Sequence, residues 1–273
     1  MNKKVLNSTT LLEFLQENFT DYSKKDIKNF LKYKSVLVNN KIVTKYDYIL
    51  KVNDIVSINK YNKDDNIKIL YEDEYLIIVD KPTNILVVDA PNNKDKTLYN
   101  LVSEYVKKKN KSNKIFIVHR LDYETSGVII FAKTMDVKTK LQDDWNSLVL
   151  KRKYIALVNG KVGSGTFKSN LKENKNHYVY ESKFGKEAIT IYNTIKTNNK
   201  YSLVDIEIKT GRKNQIRVQF SSNNTPIVGD LKYGYKDLYH NRLCLHAYAI
   251  EFINPITNKT LKITSPVPKS FNI

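Results

Sequence analysis

Residues 118–133 read Val118-His119-Arg120-Leu121-Asp122-Tyr123-Glu124-Thr125-Ser126-Gly127-Val128-Ile129-Ile130-Phe131-Ala132-Lys133. The stretch divides into an apolar strand end, a polar loop and a second apolar strand. Ile115 to Val118 and Val128 to Thr134 are the predicted buried strands. The loop carries an Arg two positions before an Asp, with a Thr-Ser-Gly turn behind them. A carboxylate on a loop between two buried strands is rigidly held and open to a cleft, which suits a nucleophile or a base. An aspartate beside a turn is also a common loop hydrogen-bond acceptor, and the residues alone leave both readings open.

On either side the chain is strand-rich from Ile67 onward. Ile67 to Tyr71 and Tyr75 to Asp80 flank an acidic turn, Glu72-Asp73-Glu74. Tyr154 to Val158 and Ala188 to Lys196 are predicted strands. In Leu203 to Lys209, Val204, Ile206 and Ile208 alternate with Asp205, Glu207 and Lys209, the mark of a half-buried strand. Helices are predicted over Thr97 to Lys108 and Met135 to Trp145. Few long helices separate the strands, so the expected class is α+β with a mostly antiparallel, mixed sheet.

The first sixty residues have a different grain. Thr10 with Glu13, and Ser23 with Asp26, are helix-start signals. Leu11, Phe14 and Leu15 follow the first at helical spacing; Ile27, Phe30 and Leu31 follow the second. Lys24, Lys28 and Lys32 recur every four residues on another side of that helix. Ser35 to Val43 reads as a strand, an Asn-Asn turn and a strand, and Asp54 to Ile58 as a third strand. Residues 59–66 (NKYNKDDN) are polar and turn-like. The expected organisation is a small domain over 1–60, a linker at 59–66 and a larger domain over 67–273.

The formal net charge is +18. Residues 1–66 hold 12 lysines and 8 acidic residues, a net +4, which leaves +14 for the remainder. Self-repulsion of this size points to a polyanionic partner, with its footprint over both parts of the chain. No apolar run approaches the ~20 residues of a membrane-spanning helix, and no basic amphipathic helix with exposed aromatics argues for a membrane surface. No secretory signal is read at the N-terminus. The one cysteine, Cys244, excludes an intrachain disulfide, and four histidines show no ligand spacing. The expectation is a cytoplasmic protein without a metal site.

The string His119-Arg120-Leu121-Asp122, with Thr125-Ser126-Gly127 and Ile130-Phe131-Ala132-Lys133, resembles the signature of the RluA family of pseudouridine synthases. Other motifs arrive in that family's order. Tyr71 to Pro82 is similar to the stretch that opens its catalytic domain, and Lys151 to Val158 to its KxY strand. Thr210-Gly211-Arg212-Lys213-Asn214-Gln215-Ile216-Arg217-Val218 is similar to its TGR segment. Pro226 to Asp230 with Tyr233-Gly234 matches a glycine turn, and Leu243 to Ala247 its last core strand. The resemblance spans about residues 67–268. Separately, residues 8–58 resemble the small alpha-L RNA-binding module of ribosomal proteins and RNA-modifying enzymes.

The resemblance implies conversion of uridine to pseudouridine in a structured RNA, with no cofactor. It implies Asp122 as the catalytic carboxylate, Tyr154 against the target base as proton acceptor, and Arg217 paired with Asp122. Arg120 would fill the gap left by the extruded uridine, since a stacked base hides its reacting face. His119 and Arg212 would also contact RNA, and Lys24, Lys28 and Lys32 would grip its backbone. The appended module makes large-subunit ribosomal RNA the expected target, with transfer RNA the other choice, and a monomer suffices. The chain departs from the family at Lys213-Asn214, in place of a small hydroxyl residue and His, and at Gln219 and Asn254, in place of His. Asn40, Asn53 and Asn84 stand where glycine is usual. Two other functions fit parts of the sequence. A non-catalytic RNA-binding protein, such as a ribosome-assembly factor, would need the basic surface without Asp122, Tyr154 and Arg217 together. A hydrolase with two carboxylates would need a second acid near Asp122, for which Glu124 stands two residues away.

Overall fold

A computed structural model of the chain describes residues 2–32, 35–39, 41–58, 67–88, 97–234, 240 and 242–273. The expected linker at 59–66 and Asn40 of the hairpin turn lie outside the described residues. The chain forms two units, Met1–Asn66 and Ile67–Ile273.

In the first unit the order is β1 (Asn2–Lys4), β2 (Thr9–Thr10), α1 (Leu11–Asn18), α2 (Lys24–Lys32), β3 (Val36–Val38), β4 (Lys41–Ile42), β5 (Ile49–Leu50) and β6 (Ile55–Ile58). Helix α1 starts at Thr10 because Thr10 and Glu13 satisfy each other's backbone N–H groups, at 3.4 and 3.2 Å. Ser23 and Asp26 do the same for α2, at 3.2 and 3.1 Å. Leu11, Phe14 and Leu15 then pack with Ile27, Phe30 and Leu31 against Val36, Val38, Val56 and Ile58 of an antiparallel sheet ordered β1-β6-β3-β4. Lys24 and Lys28 are exposed; the side chain of Lys32 lies outside the described residues.

The second unit runs β7 (Lys68–Glu72), β8 (Leu76–Lys81), α3 (Leu98–Lys109), β9 (Phe116–Ile117), β10 (Ser126–Ala132), α4 (Met135–Asp143), α5 (Trp145–Leu148), β11 (Val149–Asn159), β12 (Ser164–Glu173), β13 (Val179–Glu181), β14 (Lys186–Thr197), β15 (Tyr201–Ile208), α6 (Gln215–Ser222), β16 (Leu245–Ile253) and β17 (Thr260–Thr264). One sheet joins the strands in the order β13-β12-β14-β15-β11-β16-β10-β8-β7, with β17 on β16 and β9 on β10. Among the described residues the only parallel contact between strands is β10 with β16, and all others are antiparallel. The class is therefore α+β with a mostly antiparallel, mixed sheet.

Leu76–Val79 of β8 and Val128–Ala132 of β10 are apolar runs because both faces are covered. Ile77, Val79, Ile129 and Phe131 pack against Leu98, Val102 and Val106 of α3. Leu76, Ile78 and Ile130 pack on the other face with Val137 and Leu141 of α4. The predicted helix over Met135 to Trp145 is two helices, broken at Asp144, so that Trp145 opens a separate short turn. The first predicted strand of the motif shrinks to Phe116–Ile117, and the second begins earlier, at Ser126. Strands β12, β13 and β17 and helix α6 were not predicted. Strand β12 alternates exposed and half-buried residues with one buried position, Leu171, and carries no apolar stripe. Helix α6 is buried from Gln215 to Phe220, polar residues included, which erases helical periodicity.

Gly127 makes the parallel contact possible. It opposes Ala247 with φ +119°, and a Cβ there would lie 2.2 Å from the Ala247 carbonyl oxygen. Both the conformation and the approach exclude a side chain. Gly127→Ala is expected to destabilise the fold by on the order of 3 kcal/mol and to lower Tm by roughly 6–12 °C. A thermal melt followed by circular dichroism checks this; a midpoint within about a degree of the parent would contradict the close approach.

Candidate active site

The loop between β9 and β10 is held from beneath by a buried cation. Lys81, at the end of β8, has no solvent exposure. Its Nζ donates to the carbonyls of Pro82 (3.1 Å), Ile85 (2.9 Å) and Tyr123 (3.0 Å). Burial pushes its pKa down to about 7 against the attraction of Asp122 and Glu124. The Thr83 hydroxyl donates to the Glu124 carbonyl at 2.7 Å. The two flanks of the loop are fixed by histidines. His119 Nε2 accepts the Ile130 N–H at 3.1 Å, which puts the ring proton on Nδ1. At the other end Arg242 donates to the Ser126 hydroxyl (2.5 Å), which is also hydrogen-bonded to His246 Nδ1 (2.8 Å). Burial holds both histidines down at about 4, so both are neutral at pH 7.

Asp122 projects from this loop with a quarter of its side chain exposed. Its shortest contact is with Asn214, whose Nδ2 donates to Oδ2 at 2.6 Å. Asn214 precedes α6 in the left-handed conformation, with φ 53°. A residue at that place normally caps the helix with its side chain. Here both amide atoms are engaged elsewhere, Nδ2 on Asp122 and Oδ1 on the Tyr233 hydroxyl (3.1 Å). Tyr233 is held in turn by the Val179 N–H at 3.1 Å.

Arg217, the expected partner of Asp122, lies 3.7 Å from its Oδ2. Its closest carboxylate is another one. Nε and Nη2 form a two-pronged pair with Asp230, both at 2.8 Å, where Arg217 is 2 % and Asp230 1 % exposed. Nη1 reaches Glu124 at 3.1 Å. Burial alone would lower the Arg217 pKa, but Asp230, Glu124 and Asp122 together raise it well above its ordinary value. The second acid that a two-carboxylate hydrolase would require, Glu124, is thus engaged by the same guanidinium as Asp122.

Asp122 opens into a cleft of about 960 Å³ whose lining includes His119, Arg120, Tyr154, Arg212 and Arg217, with Ile208, Ile216 and Leu245 as apolar wall. The expected site residues of this unit therefore share one cavity. Arg120 is exposed, and Arg212 is exposed with its Nε on the Glu187 carbonyl at 2.9 Å. Tyr154, on β11, is half-buried, and its hydroxyl is pushed up to about 12 by burial, with Arg152 opposing and Asp122 adding to the shift. It is a neutral phenol across the physiological range. Lys81, Asn214, Asp230 and Tyr233 had no predicted role. Lys81, Asp230 and Tyr233 stand inside motifs quoted above, and a buried arginine demands a carboxylate, which was the available signal for Asp230. For Asn214 the signal was its departure from the family pattern.

A family model described as RNA pseudouridylate synthase matches residues 75–222. The chain is 31% identical to the uncharacterized RNA pseudouridine synthase YhcT of Bacillus subtilis (strain 168), over 90% of this chain and 86% of that one. It is 33% identical to a ribosomal large subunit pseudouridine synthase C of Buchnera aphidicola subsp. Schizaphis graminum (strain Sg), over 99% of this chain and 94% of that one. The fold superimposes on human RNA pseudouridylate synthase domain containing 4 with a TM-score of 0.62 and 21% identity, over 75% of this chain and 90% of that one.

The neutral histidines make the site's scaffold sensitive to acid. Their folded pKa, about 4, lies below the unfolded value of about 6.5. The unfolded chain therefore binds more protons between these values, and stability is lost as pH falls through that window. Urea unfolding at pH 7, 6 and 5 is expected to show a declining free energy, by up to about 1.4 kcal/mol per pH unit for each histidine. A flat profile over this range would mean that both rings meet water.

Proposed function

This chain belongs to the RNA pseudouridylate synthase family, and from that premise we propose that Asp122 initiates the isomerisation of uridine, with large-subunit ribosomal RNA as substrate. The enzyme is an RNA pseudouridine synthase. The reaction breaks the glycosidic nitrogen–carbon bond, rotates the uracil and rejoins it through a ring carbon. That carbon loses a hydrogen and the freed nitrogen gains one, so no net proton, electron or outside energy is consumed. A carboxylate starts this by adding to the sugar or base or by taking a sugar proton, and each route needs an ionised, fixed oxygen beside the sugar.

The observation that carries the assignment is the position of Asp122. It is open to the cleft, bound at 2.6 Å by a neutral amide and at 3.7 Å by a buried guanidinium. Tyr154 lines the same cleft, so an extruded uracil lies between the carboxylate and the phenol. Because Tyr154 is a neutral phenol at pH 7, its role is to pack on the ring and relay the proton from carbon to nitrogen, not to serve as a standing base. Arg120, exposed on the same loop, fills the space vacated in the RNA, offsetting part of the few kcal/mol that flipping typically costs. His119 presents its ring beside it, and Arg212 a charge at the cleft mouth.

The ribosomal target is supported by relatives that carry that substrate in their names, ribosomal large subunit pseudouridine synthases C and D. Residues 1–60 support it further as an alpha-L module, with Lys24, Lys28 and Lys32 along one helix for the phosphate backbone. One chain supplies the whole carboxylate network, so a monomer is sufficient.

Asp122→Asn is expected to lower kcat at least about a thousandfold while RNA affinity stays within about twofold. Tritium release from uridine-labelled RNA, beside filter binding, measures both. Loss of binding in parallel with turnover would remove Asp122 from the chemistry. Mapping pseudouridines in a deletion strain against its parent tests the substrate: the missing sites are expected in large-subunit ribosomal RNA. Loss confined to transfer RNA would overturn that part.

A further inference from the structure

We propose that a side chamber next to the catalytic cleft is a phosphate-binding subsite, where Arg152 takes a backbone phosphate of the RNA strand beside the extruded uridine. The chamber has about 490 Å³, enough for a nucleotide, and is lined in part by Trp145, Asn146, Arg152, Lys209, Gly211 and Arg212. It shares Trp145, Arg152, Gly211 and Arg212 with the catalytic cleft. Arg152 therefore stands at the wall between the two spaces, two residues before Tyr154 on β11.

The head of Arg152 is seated in a made place. It lies over the Trp145 ring, 5.9 Å from the centroid. Gly211 leaves it room, since a Cβ at that position would come within 2.8 Å of Nη1. One donor is used on protein, Nη2 to the Lys209 carbonyl at 2.8 Å. A guanidinium carries five N–H donors. Among the described residues no carboxylate pairs with Arg152. The contrast with its neighbours is sharp. Lys153, the next residue, holds Asp205 and Glu207, and Arg217 faces three carboxylates. Lys209, on the chamber wall, is already paired with Glu207.

A half-buried cation without a counter-ion is costly to keep, and burial pushes the Arg152 pKa down. Its charge is felt locally, lowering His119 as well. An anion is the missing partner, and Arg212 adds a second positive charge at the rim. An RNA strand whose uridine enters at Asp122 must lead its flanking phosphates past this wall. The planar fork of arginine suits two phosphate oxygens, which a lysine point charge does not reproduce. This subsite rests on the reading that uridine enters at Asp122.

The test measures binding of in vitro-transcribed large-subunit ribosomal RNA by filter assay from 50 to 400 mM KCl. It uses protein carrying Asp122→Asn, so that turnover plays no part. Arg152→Gln is expected to weaken binding about tenfold at low salt and to reduce the slope of log K against log salt by about one, the signature of one lost phosphate contact. Arg152→Lys is expected to keep the slope and lose about threefold in affinity, which also covers the case in which the Gln variant does not fold. Gly211→Ala, which crowds only the Arg152 head, should fall between them. An unchanged slope in Arg152→Gln would overturn the subsite, as would a loss confined to kcat in protein that retains Asp122. If the parent leaves uridine unmodified while the slope still drops by one, the catalytic reading fails and the phosphate contact stands.

Discussion

The two-pronged pair between Arg217 and Asp230 is the constraint around which the site is arranged. Both groups are out of water, with donors and acceptors matched at 2.8 Å. Removing one partner of such a pair strands a buried charge, at typically 3–5 kcal/mol. Arg217 sits on α6, and Asp230 lies in the turn leading toward β16, so the pair ties the helix to that turn. Once Arg217 is fixed by Asp230, its remaining Nη1 is free to face Glu124 and Asp122 on a third segment. One guanidinium thereby sets the distance between helix, turn and the loop that carries Asp122.

Rigidity on the other side of the loop has a different origin. There the loop backbone is gathered by Lys81, a cation with three carbonyl acceptors and no solvent. Its lowered pKa records the cost of that burial, and Asp122 and Glu124 are among the charges that offset it. Neutral His119 pins one flank of the loop to β10, and neutral His246, on β16, holds Ser126 where the loop runs into β10. Asp122 is thus carried on a backbone with little freedom, while its own carboxylate keeps water and an open cavity in reach. Positioning and exposure, which usually oppose each other, are separated between backbone and side chain.

Asparagine does much of the work that glycine does elsewhere in such folds. Asn39, Asn53, Asn84, Asn214, Asn224 and Asn258 all have positive φ, between 49° and 75°. Asparagine is the residue with a side chain that tolerates this region best, because its amide can bond locally. Asn53 and Asn84, at positions where the family resemblance puts glycine, take up this conformation with φ of 75° and 60°. At Asn214 the same tolerance brings a chemical gain, since the left-handed turn aims the amide at Asp122.

The sequence by itself determined the class of fold, the strands β8, β10, β11 and β15 and both helix caps of the first unit, and it singled out Asp122, Tyr154 and Arg217, which line one cleft. These are legible because apolar runs, alternation and short ordered motifs are local or rest on residue type. The parallel contact at Gly127, the share of Arg217 between Asp230, Glu124 and Asp122, the link from Tyr233 through Asn214, and the seat of Arg152 between Trp145 and the Lys209 carbonyl were decided by tertiary structure. Each joins residues tens of positions apart through burial, and no local pattern of side chains encodes which carboxylate a buried arginine will meet. Helix α6 shows the limit plainly: Gln215, Arg217 and Gln219 are buried there by what packs around them, and a polar residue in a sequence gives no sign of that.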